Sequence, residues 1–314
     1  MLYRIMAIPM SNILDSLNFI IEVHAFTLTA LTSAWCDSGD RSSQGLHPVK
    51  SRKVVGQEMS HQLQRRLRLY VDFMSQPSRA VIIFSRCNNL PVELQMVFIH
   101  KGETRSPEYL ARNPLGKVPL LEDPGAVCSG EATGRDGCFR LPESAAIISY
   151  LSYKFPELVT EHWYPRSDPV QRARVDAALH WYQGNIRAGA MRLSFHKVVA
   201  QRLGLKGDEQ VAADGLKTLK LALSSLEEYW LAGESRIFMT GPQPCAADLL
   251  CACELEQLRM LKAQLHGTSL EEILAPYPHV QAWRQRVKQA CDPHYSDVHT
   301  VLVKAAAVGP SSKL

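Results

Sequence analysis

Between residues 67 and 154, segments with the hydrophobic pattern of a strand alternate with segments typical of a helix. Alternating apolar and polar side chains, typical of half-buried strands, give way to segments with proline in their first turn, typical of helices. Predicted strands cover residues 67–71, 92–99, 118–121 and 138–141, and predicted helices cover residues 77–88 and open at Ser106 and Pro142. Residues 122–137 are rich in Gly, Ser and Asp and are predicted to form a loop. The order β-α-β-α-β-β-α predicts an α/β layer built on a mixed sheet.

Beyond residue 154, apolar side chains recur every three or four residues, which predicts the amphipathic helices of a bundle. One helix opens at Asp168-Pro169, and another begins near Ala246. The predicted apolar positions are Val175, Leu179, Tyr182, Ile186 and Leu193, then Leu216, Leu219, Leu223, Leu226 and Trp230, then Cys251, Leu255 and Leu258, and finally Val280, Trp283 and Val287. We therefore expect an α/β domain over residues 67–154, a linker over 155–166 and an all-helical domain over 167–304.

The two ends of the chain differ from these domains. Residues 1–66 are predicted to be a disordered or targeting extension, and their apolar stretch is interrupted by Asp15, Glu22 and His24, so no membrane span is expected. The tail over residues 305–314 ends in Ser312-Lys313-Leu314, the address that a peroxisomal import receptor reads. We expect a peroxisomal protein, with the cytoplasm as the second choice.

Composition narrows the classes of partner. The 314 residues include 46% hydrophobic and 21% charged residues, which are globular values. The net charge of +4, without a dense Lys/Arg block, gives no electrostatic basis for a nucleic-acid partner. The 8 cysteines are scattered, and Cys251-x-Cys253 has no second pair at zinc spacing. Free thiols and no metal site are therefore expected.

Ser75 stands at the junction of the first predicted strand and helix. A hydroxyl there lies beside free backbone N–H groups at the positive end of a helix dipole, which is a place to hold an anion. The alternative is that Ser75 acts only as the helix N-cap.

Two further features point to a peptide-like ligand. A cis bond at Val118-Pro119, at the start of the third strand, would leave the Val118 backbone free to pair with an extended peptide. Glu143 and Ser144 at a helix start offer a carboxylate, a hydroxyl and backbone N–H groups, although Glu143 could simply complement the helix dipole. Together these groups suit a ligand that carries both an ammonium and a carboxylate.

With these features the sequence resembles the theta class of glutathione S-transferases, and closely its plant branch. The likeness runs from about residue 67 to about residue 304. The matching stretches are Met74-Ser75-Gln76-Pro77-Ser78-Arg79-Ala80-Val81, Asn113-Pro114-Leu115-Gly116-Lys117-Val118-Pro119, Glu143-Ser144, His162-Trp163-Tyr164-Pro165, Arg172-Ala173-Arg174-Val175 and Trp283-Arg284-Gln285-Arg286-Val287.

The resemblance implies a fold and an activity. The expected fold is a thioredoxin-like domain followed by an all-helical domain, the glutathione transferase fold, in a homodimer. The expected reaction conjugates reduced glutathione, as co-substrate and without a cofactor, to small electrophiles, with reduction of organic hydroperoxides as a second activity. The alternative is a non-catalytic protein of the same fold that binds a ligand or another protein.

The resemblance also implies roles for particular residues. Ser75 would be the catalytic serine, donating its O–H to the glutathione sulfur, and Arg187 would lie near the electrophile. The implied glutathione-binding residues are Gln76, Thr104, Arg105, Lys117, Val118, Pro119, Glu143 and Ser144.

Three positions depart from the family pattern. Thr104 stands where a His or Gln commonly binds the glycine carboxylate of glutathione, and Arg105 is an alternative partner. The loop over residues 122–137 is longer than the family's hairpin. Cys245 stands where a Ser or Thr usually caps a helix together with Asp248, so about 1 kcal/mol of cap stability is expected to be lost.

Overall fold

The computed structural model describes residues 66–126, 137–233 and 237–308. Residues 1–65 of the predicted extension, the middle of the loop over residues 122–137 and the Ser312-Lys313-Leu314 tail lie outside these residues.

The first domain is built on a mixed sheet, as predicted. Its strands are β1 (Leu67–Val71), β2 (Val92–Met96), β3 (Leu120–Asp123) and β4 (Phe139–Pro142). They stand in the order β2-β1-β3-β4, with β1 parallel to β2 and β3 antiparallel to both β1 and β4.

The prediction of a second strand over residues 92–99 is wrong at its end. Strand β2 stops at Met96, which pairs with Val71, the last residue of β1. The neighbouring strand ends there, so the ladder has no partner to continue on. The chain turns instead into two 3₁₀ turns, Ile99–Lys101 and Glu103–Arg105.

Three helices complete this domain, namely α1 (Gln76–Cys87), α2 (Pro107–Arg112) and α3 (Ser144–Lys154). Each lies where the sequence predicted a helix. Ser106 caps α2 by accepting a hydrogen bond from the Tyr109 N–H at 3.2 Å. Helix α1 is buried from residue 77 to residue 85, because it packs against α3 on one side and against helices of the second domain on another.

The second domain is helical throughout the residues that the structure describes. Its helices are α4 (Pro169–Tyr182), α5 (Ala188–Ser194), α6 (Ala200–Arg202), α7 (Glu209–Ser225), α8 (Ala246–Gln257), α9 (Ala263–His266), α10 (Leu270–Leu274), α11 (Pro278–Cys291) and α12 (His294–Ala307). Asp168 caps α4 by accepting the Val170 and Gln171 N–H groups, at 2.9 and 3.0 Å. The predicted apolar positions are buried or partly buried. Of the helices described, none is both long and apolar enough to cross a membrane.

Helix α8 corrects the prediction of an amphipathic helix near Ala246. All twelve of its residues are buried, because α8 contacts α1, α4, α5 and α11 from different sides. Its polar side chains therefore need partners inside the protein. Asp248, for example, accepts the indole N–H of Trp283 at 2.6 Å.

The cysteines of the described residues are free thiols, as predicted. Five of them are buried and one, Cys87, is partly exposed. In the same part of the chain no group of His, Cys, Asp and Glu side chains could hold a metal ion.

Candidate active site

Four loops meet at one edge of the sheet, because the register places four strand ends side by side. Val71 pairs with Met96, Tyr70 pairs with Leu120, and Leu120 pairs with Pro142. The segments after β1, after β2, before β3 and after β4 therefore lie at the same edge. These segments carry the predicted residues Ser75, Gln76, Thr104, Arg105, Lys117, Val118, Pro119, Glu143 and Ser144. The structure brings them together, while their individual roles stay predictions.

Ser75 is the N-cap of α1 and is 6% exposed. Its Oγ accepts the N–H of Ser78 at 3.4 Å, and its own N–H donates to the carbonyl of Asp72 at 3.0 Å. A serine hydroxyl carries one hydrogen and two acceptor sites, so accepting from Ser78 leaves the hydroxyl hydrogen available. The cap and the anion site that the sequence offered as alternatives are thus compatible in one side chain.

Asp72 shapes the loop that carries Ser75, and the sequence analysis missed it. One carboxylate oxygen accepts the Met74 N–H and the other accepts the Ile99 N–H, both at 2.8 Å. The buried carboxylate thereby joins the loop after β1 to the loop after β2. The available signal was a lone acidic residue directly after a buried strand and three positions before a helix cap.

Arg79, one turn into α1, anchors the same loop to the second domain. Its guanidinium donates to the Phe73 carbonyl at 3.0 Å, to the Cys253 carbonyl at 3.1 Å and to the Gln257 amide oxygen at 2.9 Å. The side chain is fully buried, and this burial lowers the pKa of Arg79 from its usual value. The backbone around Ser75 is therefore fixed by contacts with helix α8.

The segment before β3 presents a free stretch of backbone. The Val118-Pro119 bond is cis, as predicted. The Lys117 carbonyl accepts the Tyr109 hydroxyl and the Asn113 side-chain amide, both at 2.7 Å. Among the described residues, the backbone N–H and C=O of Val118 make no hydrogen bond. A loop held in this way leaves the Val118 backbone open to an extended peptide.

Arg105 lies against this segment. A Cβ added to Gly116, whose φ is +59°, would come within 2.6 Å of Arg105 Nη1 and 3.0 Å of the Thr104 carbonyl. The guanidinium therefore packs on the Gly116 backbone, one residue before Lys117. Thr104 itself is buried in the turn. Of these two neighbours, Arg105 is the one that brings positive charge to the edge of the sheet.

Glu143 adopts a backbone conformation that is unusual for its residue type. Its φ is +70°, in a region where side chains other than glycine are strained by roughly 1 kcal/mol or more. The side chain is exposed, whereas Ser144, the first residue of α3, is buried. The sharp bend starts α3 directly after β4, so its first N–H groups, which have no partner within the helix, lie at the edge of the sheet.

Arg187 lies in the second domain, in a π-helical turn that follows α4. Its guanidinium pairs with the buried carboxylate of Glu254, which also accepts the Tyr182 hydroxyl at 2.9 Å. Burial alone would lower the pKa of Arg187, but the Glu254 carboxylate outweighs burial and raises it. The side chain is 29% exposed, and its contact with an electrophile stays a prediction.

Comparison with known proteins identifies the fold to which this sheet and its loops belong. Family models described as the glutathione S-transferase N-terminal and C-terminal domains match residues 69–158 and 186–289. The solved structure of human glutathione S-transferase T1-1 in its apo form gives a TM-score of 0.65 at 35% identity, over 78% of this chain and 93% of that one. Human glutathione transferase theta-2, solved with glutathione and an unknown ligand, gives a TM-score of 0.65 at 33% identity, over 77% and 89%.

Curated relatives agree with the structural match. Glutathione S-transferase T1 of Arabidopsis thaliana is 37% identical over 241 residues, which are 76% of this chain and 90% of that protein. Human glutathione S-transferase theta-1 is 35% identical, over 78% of this chain and 92% of that protein. Glutathione S-transferase T3 of Arabidopsis thaliana is 36% identical over 76% of this chain, which spans only 38% of that longer protein.

The chain belongs to the glutathione S-transferase family. Its similar relatives are of the theta class and the plant T1–T3 group, as the sequence motifs predicted. The predicted fold, a thioredoxin-like domain followed by a helical domain, is confirmed.

Proposed function

We propose that this transferase activates the thiol of reduced glutathione at Ser75 and adds the sulfur to electrophilic carbon atoms. One observation carries the proposal: the Ser75 hydroxyl lies at the mouth of α1 with its hydrogen free to donate. Donation to the bound sulfur stabilises the thiolate, which is the nucleophilic form.

The magnitudes are sufficient for this activation. A free thiol has a pKa of about 8.5, and lowering it by about 2 units needs about 2.7 kcal/mol. One hydrogen bond to a charged group supplies about 1.5–3 kcal/mol. The N-terminus of α1 adds about 0.3–1 kcal/mol of stabilisation for a negative charge. Ser75 therefore acts as a hydrogen-bond donor, and the reaction needs no general base.

The remaining loops supply what a glutathione molecule requires. Its extended cysteinyl backbone matches the open N–H and C=O of Val118. Its γ-glutamyl end carries an ammonium and a carboxylate, which suit the exposed Glu143 carboxylate and the N–H groups at the start of α3. Its glycine carboxylate suits the guanidinium of Arg105.

The proposal extends to organic hydroperoxides. The thiolate attacks the terminal peroxide oxygen and releases the alcohol, which leaves glutathione as a sulfenic acid. A second glutathione thiol then displaces water to give glutathione disulfide. The family resemblance and the Ser-Lys-Leu tail support this extension.

Replacement of Ser75 tests the activation step. Ser75→Ala is expected to lower turnover with a model electrophile at least tenfold, while the Kd for glutathione changes little. The ultraviolet absorbance of the bound thiolate should fall in parallel, because the sulfur loses its hydrogen-bond donor. Steady-state kinetics, calorimetry and difference spectra provide the three readouts.

Ser78→Ala is the matched control, since its hydroxyl is fully buried in the same helix turn and finds no hydrogen-bond partner among the described residues. Its turnover is expected to equal that of the unchanged protein. Equal turnover in Ser75→Ala would remove Ser75 from its assigned role. Retention on a glutathione column without turnover in the unchanged protein would favour the non-catalytic alternative.

Two expectations about partners go with this function as proposals. The homodimer is proposed because members of the family usually form dimers. Import into peroxisomes is proposed because the chain carries Ser312-Lys313-Leu314. A tagged chain that reaches peroxisomes only when these three residues are present would support the second.

A further inference from the structure

Two cysteines from different domains contact each other at the far end of α1 from Ser75. Cys87 is the last residue of α1, and Cys291 is the last residue of α11. The Cys87 thiol donates a hydrogen bond to the Cys291 carbonyl oxygen at 3.9 Å, and each of the two thiols shifts the pKa of the other. The two positions are 204 residues apart in the chain. Because the Cys87 sulfur touches the Cys291 backbone, the two side chains are near neighbours, as a disulfide between them requires.

We propose that Cys87 and Cys291 form a reversible disulfide when the protein meets glutathione disulfide. The pair is then a redox modification site that joins the domain carrying Ser75 to the helical domain.

The two thiols differ in exposure and in pKa, and we therefore infer different roles for them in the reaction. Cys87 is partly exposed, so a soluble disulfide can reach it, whereas Cys291 is 1% exposed and can react only with a neighbour. The hydrogen bond from Cys291 lowers the pKa of Cys87, and the same contact together with burial raises the pKa of Cys291. Cys87 is therefore the thiol that attacks first, and Cys291 is the thiol that resolves.

The other cysteines of the described residues do not share these properties. Cys138, Cys245, Cys251 and Cys253 are all buried. Burial raises the pKa of Cys253 to about 12 and holds those of Cys245 and Cys251 well above their usual range. Buried, protonated thiols react slowly, so among the cysteines of the described residues oxidation should be selective for the Cys87 pair.

The exchange balances without any other reactant. The Cys87 thiolate attacks one sulfur of glutathione disulfide, forms a mixed disulfide and releases one glutathione thiolate. The Cys291 thiol then loses its proton to solvent and attacks the Cys87 sulfur, which forms the Cys87–Cys291 bond and releases the second glutathione. The protein is oxidised by two electrons, and one glutathione disulfide is reduced to two thiols.

The position of the pair gives the bond a structural effect. Arg79 already fixes the first turn of α1 to α8. The disulfide would fix the last residue of α1 to α11, so the helix that carries Ser75 would be held to the second domain at both ends. Closing a segment of this length is expected to raise the thermal stability of the protein.

Peptide mapping tests the proposal on the full-length protein. The protein is incubated with a large excess of glutathione disulfide over glutathione, alkylated and digested with trypsin. Cleavage at Arg86, Lys101, Lys288 and Lys304 gives peptides 87–101 and 289–304, each with a single cysteine. The expected product is the pair of these peptides joined by a disulfide, and dithiothreitol should separate them. The oxidised protein should melt about 5 °C or more above the reduced protein.

Variants separate the two thiols and provide the controls. In Cys291→Ser, the reaction should stop at the mixed disulfide of glutathione on peptide 87–101. In Cys87→Ser, neither the mixed disulfide nor the joined peptides should form. Cys251→Ala is the matched control and should oxidise like the unchanged protein, as should Ser75→Ala, since the pair acts independently of the proposed function.

Several results would overturn the proposal. One is a stable mixed disulfide on Cys87 in the unchanged protein without joined peptides. Another is two unmodified thiols under the oxidising mixture. A third is the same melting shift in Cys291→Ser as in the unchanged protein.

Discussion

Cys245 places a sulfur atom, where the family usually has a hydroxyl oxygen, at the start of the buried helix α8. It is the N-cap of α8, and its backbone N–H donates to the Asp248 carboxylate at 2.8 Å. The same carboxylate also accepts the Met239 N–H at 2.9 Å. This half of the capping box is therefore complete, whereas the other half depends on a thiol, which is a weak acceptor.

We expect Cys245→Ser to raise the free energy of unfolding by about 0.5–1 kcal/mol. A serine oxygen accepts the Asp248 N–H better than sulfur does, and Thr240 lies beside it as a second partner. Urea unfolding measures the change. The same replacement at Cys251, inside the same helix, is the control and should lower stability, because it buries a hydroxyl without a cap to complete. Shifts of the same sign at both positions would contradict this account of the cap.

At the scale of elements, the buried guanidinium of Arg79 links α1 to α8 where the two helices pack together. Arg79 donates to the loop before α1 and to two groups of α8, so it fixes the distance between the helices as well as the path of the chain into Ser75. A lysine keeps the charge but cannot reach three acceptors with the same planar geometry.

Arg79→Lys is expected to lower the free energy of unfolding by about 2–4 kcal/mol, because it leaves buried acceptors unpaired. Turnover should fall as well, since the Phe73 carbonyl loses its donor and the Ser75 loop shifts. Unfolding curves and kinetics at a temperature where both proteins are folded separate the two effects. Arg86→Lys, in the last turn of the same helix, should change neither quantity, and an equal loss in that variant would argue against a specific role for Arg79.

At the scale of the whole molecule, buried charge sets the response to acid. His299 in α12 is 4% exposed, and its ring lies 2.8 Å from the Tyr295 carbonyl. Burial, reinforced by the nearby Arg79, lowers the pKa of His299 from 6.5 to about 4. Glu256, although buried, has its pKa lowered to about 2 by Arg284 and Arg259.

The titration of His299 should lower the stability of the protein as the pH falls from about 6.5 toward 4. In this window the unfolded chain binds a proton at His299 that the folded chain does not, so stability increases with pH and is fully present above 6.5. The shift corresponds to about 3 kcal/mol. The carboxylate of Glu256 contributes in the same direction between 4.5 and about 2.

Unfolding in urea across this range measures the effect. His299→Gln keeps a donor for the Tyr295 carbonyl but does not titrate, so its stability should depend less on pH than that of the unchanged protein. Parallel curves for the two proteins would contradict the assignment to His299.

Local signals in the sequence were enough to predict the edge of the sheet and its loops. Ser75 and Val118-Pro119 stand where the hydrophobic period changes, and proline marks both positions. Asp72 and Arg79 were missed as functional positions, because their partners lie up to 27 and 178 residues away and leave no trace in the local pattern. The position of α8 was predicted correctly, but its complete burial was not. Charged residues that are paired inside the protein give the same sequence pattern as the polar face of a surface helix.

The enclosure of α8 bears on how the protein can be taken apart or recombined. Residues 155–166 look like a natural place to divide the gene, yet the two halves share one interior. A fragment that begins there would expose α8, all of whose residues are buried in the intact protein. It would also leave the Cys253 carbonyl and the Gln257 side-chain amide oxygen without their donor, Arg79. Chimaeras between relatives should therefore exchange α1 and α8 as a matched pair, wherever the nominal domain boundary is drawn.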